Sequence, residues 1–366
     1  MNELVRGSLE FLEAVYSEDR ALFPFTTHLR GGSYANDYGP HRAIRCTVNC
    51  LLGLTEIARR HPEHPFASQV DVLVERFLDT HAVADPGDLG LLSVTLSDDR
   101  YPMRRLEEAV GSVRALVANS SRVRTLDVQD VCWLLWGAIA AHERGAAGAE
   151  SAARSLFALL RDHYLTEKAV LPRHHLGRGR RSFVSFGASV YYAHVAYLYG
   201  TRFADAGATE LFERAANALM RSQGPNGEWP WMLRCSDAMP LDVYPVFSVH
   251  QTSMSMLVLH PARREGLPGT EDAITRSVGW VAGRNQLSQP MGQRHPFFIF
   301  RSLERADRFP QARRYLRSTL HSLRDEPAAL AEASSLRVNR ESRSYELGWV
   351  LYILPQMEPV PSVELS

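Results

Sequence analysis

Apolar residues recur at helical spacing from one end of the chain to the other, and alternation at period two is almost absent. Residues 44–58 (IRCTVNCLLGLTEIA) set Ile44, Val48, Leu51, Leu52 and Ile57 at that spacing. Comparable runs follow at 66–81, 88–97, 103–118, 126–143, 149–164, 183–200, 208–222, 247–260, 270–283, 311–323 and 342–354. With a first segment at 2–17, thirteen helices are predicted, most of them joined by short Gly, Pro, Asp or Asn connections as in antiparallel hairpins. They are of two kinds. VDVLVERFLDTH, RRLEEAVGSVRALV and ELFERAANALMRS are amphipathic and charged, which suits a layer facing water. VCWLLWGAIAA, FVSFGASVYYAHVAYLYG, SVHQTSMSMLVL and YELGWVLYIL are apolar nearly all round and must be buried all round. The two kinds alternate. Six inner helices, starting near 41, 88, 127, 183, 247 and 343, ringed by six outer ones predict an all-α fold, an (α/α)6 toroid. No Pro/Gly/Ser linker breaks the alternation, so residues 1–366 are expected to form one domain. Within it, 1–20 should pack as a helix on the outer layer and 357–366 should form a loose tail. Inner helices of such a toroid run parallel, so the residues opening each of them should converge on one central pocket.

Composition narrows the function. Lys plus Arg and Asp plus Glu number 41 each, a balance that argues against a nucleic-acid sleeve. Hydrophobic residues make up 45% and charged ones 22%, as in an ordinary globular protein. No apolar run is long enough to span a membrane, and MNELVRGSLEFLEAVYSEDR lacks the apolar core of a secretory signal. Four cysteines, Cys46, Cys50, Cys132 and Cys235, make no disulfide framework. Cys46 and Cys50 share a helix face, but buried thiols explain them better than a metal. A reduced, cytoplasmic protein with a small-molecule substrate and no bound metal is expected.

Candidate chemistry gathers at the expected mouth. Asp127 and Asp130 open an inner helix three residues apart, near Trp133 and Trp136. A carboxyl beside those rings should have a raised pKa and could donate a proton; alternatively Asp127 is a helix cap. Tyr244, Phe247, His250 and Gln251 lie at the start of another inner helix, with His250 as an acid/base and Gln251 as a substrate-orienting group, or His250 as a bonded core histidine. Arg173, His174 and His175 begin a basic loop running to residue 181, just before Phe183 and Phe186; it is an anion site or a solvated loop. Tyr34, His41, Arg42 and Arg45 lead into the first inner helix, Phe298 and Arg301 sit in the stretch before the last, and Tyr345 and Glu346 open it. An Arg–Glu clasp closing the ring is the alternative for these charges.

Residues 219–229 read LMRSQGPNGEW, in which Gln223, Gly227 and Trp229 satisfy Q-x3-G-x-W, with Trp231 two residues on. This segment resembles the repeat of the squalene/hopene and other class II terpene cyclases, whose toroid superfamily includes protein prenyltransferases. Physically, Gln223 can tie down a helix end, Gly227 permit a tight turn, and the indole pack on a neighbouring hairpin. The resemblance implies an aromatic-lined pocket for an isoprenoid, with Asp130 as proton donor and Mg2+ only if the substrate is a diphosphate. The family's D-x-D-D motif is absent, and Asp98-Asp99 lacks the third acid of D-D-x-x-D. Two alternatives stand beside it. One is a carbohydrate lyase or glycosidase acting on an anionic sugar; its lyase form uses Tyr244 and His250 with Arg45 or Arg301 on the carboxylate, its inverting form the pair Asp130 and Glu346. The other is a non-catalytic lipid- or glycan-binding protein.

Overall fold

The computed structural model describes residues 2–166, 168–176, 182–306 and 310–357. Its helices are α1 (Glu3–Val15), α2 (Pro40–Arg60), α3 (Val70–Thr80), α4 (Pro86–Leu96), α5 (Met103–Ala118), a single turn α6 (Ser120–Val123), α7 (Val128–Glu143), α8 (Ala149–Leu159), α9 (Phe186–Phe203), α10 (Ala206–Ser222), α11 (Met256–Arg264), α12 (Thr270–Val281), α13 (Pro310–Arg324) and α14 (Ser344–Ile353). A π-helical turn over His250–Met254 leads into α11.

Six of these, α2, α4, α7, α9, α11 with its π turn, and α14, pack each against the next, and α14 returns to α2 to close the ring. Along α4, α7, α9 and α14 the residues are buried on nearly every side, as their uninterrupted apolarity requires. Outside them α1, α3, α5, α8, α10 and α12 bury one face only. The fold is the all-α, (α/α)6 toroid that the alternation predicts. α1 lies in the outer layer against α14. Of the expected tail, Met357 is buried and 358–366 lie outside the described residues.

Two seams of the ring are glycine contacts. A Cβ on Gly90 of α4 would meet Leu134 N of α7 at 2.5 Å, and one on Gly137 of α7 would meet Ser93 Cβ of α4 at 2.9 Å. Between α2 and α14, a Cβ on Gly348 would meet Asn49 O at 2.5 Å, and one on Gly53 would run into Gly348 O. Backbones therefore touch where side chains ordinarily stand between helices.

The near-absence of strand signals is corrected by the structure. Among the described residues, eleven short strands of two to five residues occupy the long connections: β1 (Thr26–Arg30), β2 (Ser33–Asp37), β3 (Phe183–Ser185), β4 (Met232–Arg234), β5 (Pro240–Asp242), β6 (Val246–Phe247), β7 (Gly292–Gln293), β8 (Phe298–Ile299), β9 (Ser302–Arg305), β10 (Leu336–Asn339) and β11 (Glu341–Ser342). At that length no period-two pattern can be read. Their sheets run β11-β1-β2, β10-β9-β6, β3-β4-β5 and β7-β8. The first joins the two ends of the chain, with Thr27 opposite Ser342. Beside it, Arg343 donates to Phe25 O (3.2 Å) and to Thr26, and Ser344 Oγ donates to Pro24 O at 2.8 Å. Among the described residues no helix is long and apolar enough to cross a membrane.

Candidate active site

The leading turns of all six inner helices open into one cavity of about 490 Å3. Each helix sends in residues one turn apart: His41 and Arg45 from α2, Gln129 and Trp133 from α7, Gly187 and Tyr191 from α9, His250 and Met254 from the π turn, Tyr345 and Trp349 from α14. Asp85 and Asp88 enter from the start of α4, and Trp231, Phe247 and Arg301 from the strand-bearing loops. Nine of the candidate residues thus line the cavity: His41, Arg42, Arg45, Trp133, Trp231, Phe247, His250, Arg301 and Tyr345. Asp130 is not one of them; it lies 3.6 Å from the Nη2 of Arg45, which is.

One wall is built around Arg45. Its Nε donates to Asp88 Oδ1 at 2.8 Å, its Nη2 donates to Asp85 Oδ1 at 2.6 Å, and the same Nη2 lies 3.6 Å from Asp130 Oδ1. The guanidinium also stands over the Trp133 ring at 5.3 Å. Burial, reinforced by the charge of Asp127, pushes the Asp130 carboxyl up to about 8, against the pull of Arg45. Asp88 is pushed up only to about 6, also by burial, because its contact with Arg45 is direct. Near neutrality Asp130 holds its proton and Asp88 is mostly ionised, with one guanidinium between them. Unequal carboxyls side by side divide into an acid and a base. Asp130 is 15% exposed at its side chain, whereas that of Asp88 is 3% exposed.

The opposite wall is aromatic and positively charged. His250 is packed against Phe186 (4.9 Å), Phe247 (5.3 Å) and Trp231 (6.0 Å, parallel). Burial among these rings pushes its imidazole down to about 3, so it stays neutral. A ring so reluctant to take a proton is poorly suited to the expected acid/base role. The Arg–Glu clasp exists, but Glu341 makes it: Arg301 Nη1 donates to Glu341 Oε2 at 3.1 Å and Arg343 Nη2 to the same oxygen at 2.6 Å.

Several expected site residues serve the scaffold instead. Tyr244 is buried in the loop under Arg305 (5.0 Å), not on the cavity wall, so the Tyr244–His250 lyase pair is not assembled. Asp127 caps α7, its Oδ1 accepting the Asp130 N–H at 2.9 Å. Glu346, one step round α14 from Tyr345, points into the wall and is 1% exposed, which rules out the Asp130–Glu346 pair across the cavity. Tyr34 donates to Phe297 O (2.9 Å) and stacks with Phe298 at 6.3 Å, and neither ring lines the cavity. Phe183 packs with Met232 and Leu241, and Phe186 stacks on Trp229 at 5.0 Å. Arg173 is fixed through its N–H to Tyr164 O (2.8 Å), and His175 pairs by backbone with Asp127; neither lines the cavity, and residues 177–181 of the basic loop lie outside the described residues.

The Q-x3-G-x-W segment is a structural tie. Gln223 Nε2 donates to Gly227 O and to Ala273 O, both at 3.1 Å. Trp229 Nε1 donates to Ser277 Oγ of α12 at 2.8 Å, and Gly227 adopts φ +93° against the Arg276 backbone. Gln251 also faces this turn: with its amide nitrogen donating to Gly227 O (2.9 Å), its oxygen accepts the Trp229 N–H (3.1 Å). Gln223→Ala is therefore expected to lower unfolding free energy by about 1–3 kcal/mol while leaving ligand binding intact, as denaturant titration and a binding assay would show.

Glu346 makes a second prediction. Burial pushes its carboxyl up to about 8, with Arg301 and Arg343 opposing. Between its unfolded value of 4.5 and that folded value, the unfolded chain releases a proton that the folded chain keeps, so stability falls as pH rises through the window. Glu346→Gln should leave Tm unchanged near pH 4 and raise it at pH 8.

Sequence reasoning missed Asp85 and Asp88. Asp85 caps α4 by accepting from Gly87 N and Asp88 N, so the run Asp85-Pro-Gly-Asp88 repeats the cap-plus-third-residue pattern of Asp127 and Asp130 on the adjacent inner helix. Among the described residues no group of three His, Cys, Asp or Glu side chains could hold a metal ion; in the acidic wall the cation is Arg45.

No protein-family model matches the chain, and no curated protein does. Solved structures do match over nearly the whole length. An inactive double Asp-to-Asn variant of an α-1,6-mannanase from Salegentibacter sp. HEL1_6, in complex with α-1,6-mannotriose, aligns with TM-score 0.62 at 11% identity, over 96% of this chain and 97% of that one. Cellobiose 2-epimerase from Bacillus thermoamylovorans aligns with TM-score 0.65 at 9% identity over 96% and 98%. Unsaturated glucuronyl hydrolase from Bacillus sp. GL1 aligns with TM-score 0.61 at 12% identity over 98% and 96%. These likenesses establish the toroid and, at such identities, the fold alone; they lend no support to the terpene-cyclase assignment.

Proposed function

We propose that the protein is a carbohydrate-active enzyme of glycosidase type, with Asp130 as proton donor and Asp88 as the carboxylate that activates water. The observation that carries this reading is the mixed character of the cavity wall. Trp133, Trp231 and Phe247 share the lining with the polar side chains of His41, Asn49, Asp88, Gln129 and Arg301. A sugar suits both, its C–H face stacking on the rings and its hydroxyls pairing with the polar groups. A prenyl chain would strip water from those groups and offer them no partner, at about 1–3 kcal/mol apiece. Its carbocation would also face the guanidinium groups of Arg45 and Arg301 across a cavity of about 490 Å3. The structures of similar shape named above act on saccharides, which supports the same reading.

In the proposed reaction Asp130 gives its proton to the glycosidic oxygen as the bond to the anomeric carbon breaks. Asp88 takes a proton from the water that attacks that carbon, and Arg45 stabilises the carboxylate left on Asp130. The test is a screen of aryl glycosides and oligosaccharides, including α-1,6-mannotriose and an unsaturated glucuronyl disaccharide, for new reducing ends. Cleavage of at least one saccharide, lost in Asp130→Asn, is expected. Turnover of farnesyl or geranylgeranyl diphosphate with no saccharide cleaved would overturn the proposal.

A further inference from the structure

The two walls of the cavity carry opposite charge. Around Arg45, one guanidinium faces the carboxylates of Asp85 and Asp88 with Asp130 protonated, which leaves one negative charge over. Across the cavity, the guanidinium groups of Arg301 and Arg343 share the single carboxylate of Glu341, which leaves one positive charge over. Glu346 beside them does not cancel it, since burial keeps that carboxyl protonated.

Among the described residues three arginines line the cavity: Arg42 is exposed and stands over the Phe25 ring at 4.9 Å, and Arg45 is already taken by its acids. Arg301 is not. Its Nη1 goes to Glu341 and its Nε is buried without a protein partner, while the side chain as a whole lines the cavity and stays 26% exposed. A guanidinium edge can hold both oxygens of a carboxylate side by side. Arg301 is also fixed in place before any ligand arrives. Its N–H donates to Asn339 O (3.1 Å) and Glu341 O (2.8 Å), and its carbonyl accepts the Ser248 N–H at 2.9 Å. The guanidinium rests over the Phe247 ring at 5.4 Å. A charged side chain held this rigidly loses little freedom on binding.

We infer that Arg301 receives the carboxylate of a uronic-acid residue, whose ring stacks on the aromatic wall and whose glycosidic oxygen reaches Asp130, so that the substrate is an acidic sugar. The inference rests on the sugar-enzyme reading above and adds the charge of the substrate to it. One surplus positive charge matches a singly ionised carboxylate better than a phosphate ester. The acidic wall around Arg45 turns such an anion away from itself, which fixes the orientation in which the sugar enters.

Binding of free monosaccharides tests this without requiring turnover. Titration calorimetry would compare glucuronate, galacturonate and mannuronate with glucose, galactose and mannose, and with glucose 6-phosphate. At least one uronate is expected to bind about tenfold or more tightly than its neutral counterpart, with the preference shrinking as salt rises. Arg301→Gln should bring the pair to within about twofold, and Arg301→Lys, which keeps the charge but not the paired edge, should fall between. Circular dichroism confirms folding; should Arg301→Gln not fold, the salt series and Arg301→Lys carry the test. Equal affinity for neutral sugars, a uronate preference that survives Arg301→Gln, or tighter binding of the phosphate overturns the inference while leaving a sugar enzyme standing. Failure of every sugar to bind, with no saccharide cleaved in the earlier screen, removes the sugar reading itself.

Discussion

Replacing Asp130 by Asn is expected to lower kcat/KM for a cleaved saccharide by about 10^2–10^4, with ligand binding and folding retained. The amide keeps the shape of the protonated acid, so its packing survives, but it has no proton to give. Because the side chain is held neutral near pH 7, Asn also introduces no new buried charge, and Tm should change little there. The pH profile supplies a signature that a packing role would not. Activity should fall as pH rises through about 8, where Asp130 loses its proton, and the lower limb should lie near 6, where Asp88 gains one. Asp88→Asn should be comparably damaging for a different reason: it removes the charge facing Arg45 Nε as well as the base. Arg45 would then keep Asp85 as its close partner and draw nearer in charge to Asp130, lowering that carboxyl. The upper limb of any residual activity in Asp88→Asn should move to lower pH, and profiles measured on both variants would show it.

The sequence exposed most of the fold because four of the six inner helices, α4, α7, α9 and α14, are apolar nearly all round, a pattern with no place except the interior. Boundaries followed from the same run: 103–118 is reproduced as Met103–Ala118, and 270–283 as Thr270–Val281. What an all-apolar helix cannot reveal is its rotation. With no polar stripe to orient it, Tyr345 and Trp349 are as plausible on the cavity side as Glu346, and His250 as plausible as Gln251. One residue is a turn of roughly 100° about the axis, and that step separates substrate contact from core. The acids missed at the start of α4 were visible as a repeated pattern, Asp85-x-x-Asp88 and Asp127-x-x-Asp130, on helices that prove to be neighbours. Tyr244 shows the reverse case: an aromatic just ahead of an inner helix is placed by the path of its loop, which local spacing does not encode.

Gly90→Ala is expected to destabilise the protein by about 3 kcal/mol and to depress activity, although alanine is the better helix former. On α4 the added methyl would run into the backbone of α7, against the Trp133 carbonyl and 2.5 Å from Leu134 N. Neither can yield as a flexible side chain would, so the two helices must separate. Gly137 makes the reciprocal contact from α7, where a methyl would press on Gly90 O and on Ser93 Cβ at 2.9 Å. The same pair of helices carries Asp88 and Asp130, one on each. Opening the seam by even about 1 Å shifts one carboxyl relative to the other and to Arg45, and displacements of that size cost on the order of 100-fold in rate. The control is Gly111→Ala in the outer helix α5, where nothing stands within 4 Å of the new methyl. That substitution should raise stability by up to about 1 kcal/mol and leave activity unchanged. Denaturant unfolding and saccharide turnover measured on both variants separate the two outcomes. If Gly90→Ala behaved like Gly111→Ala, the close approach of α4 and α7 would not be what holds Asp88 and Asp130 in register.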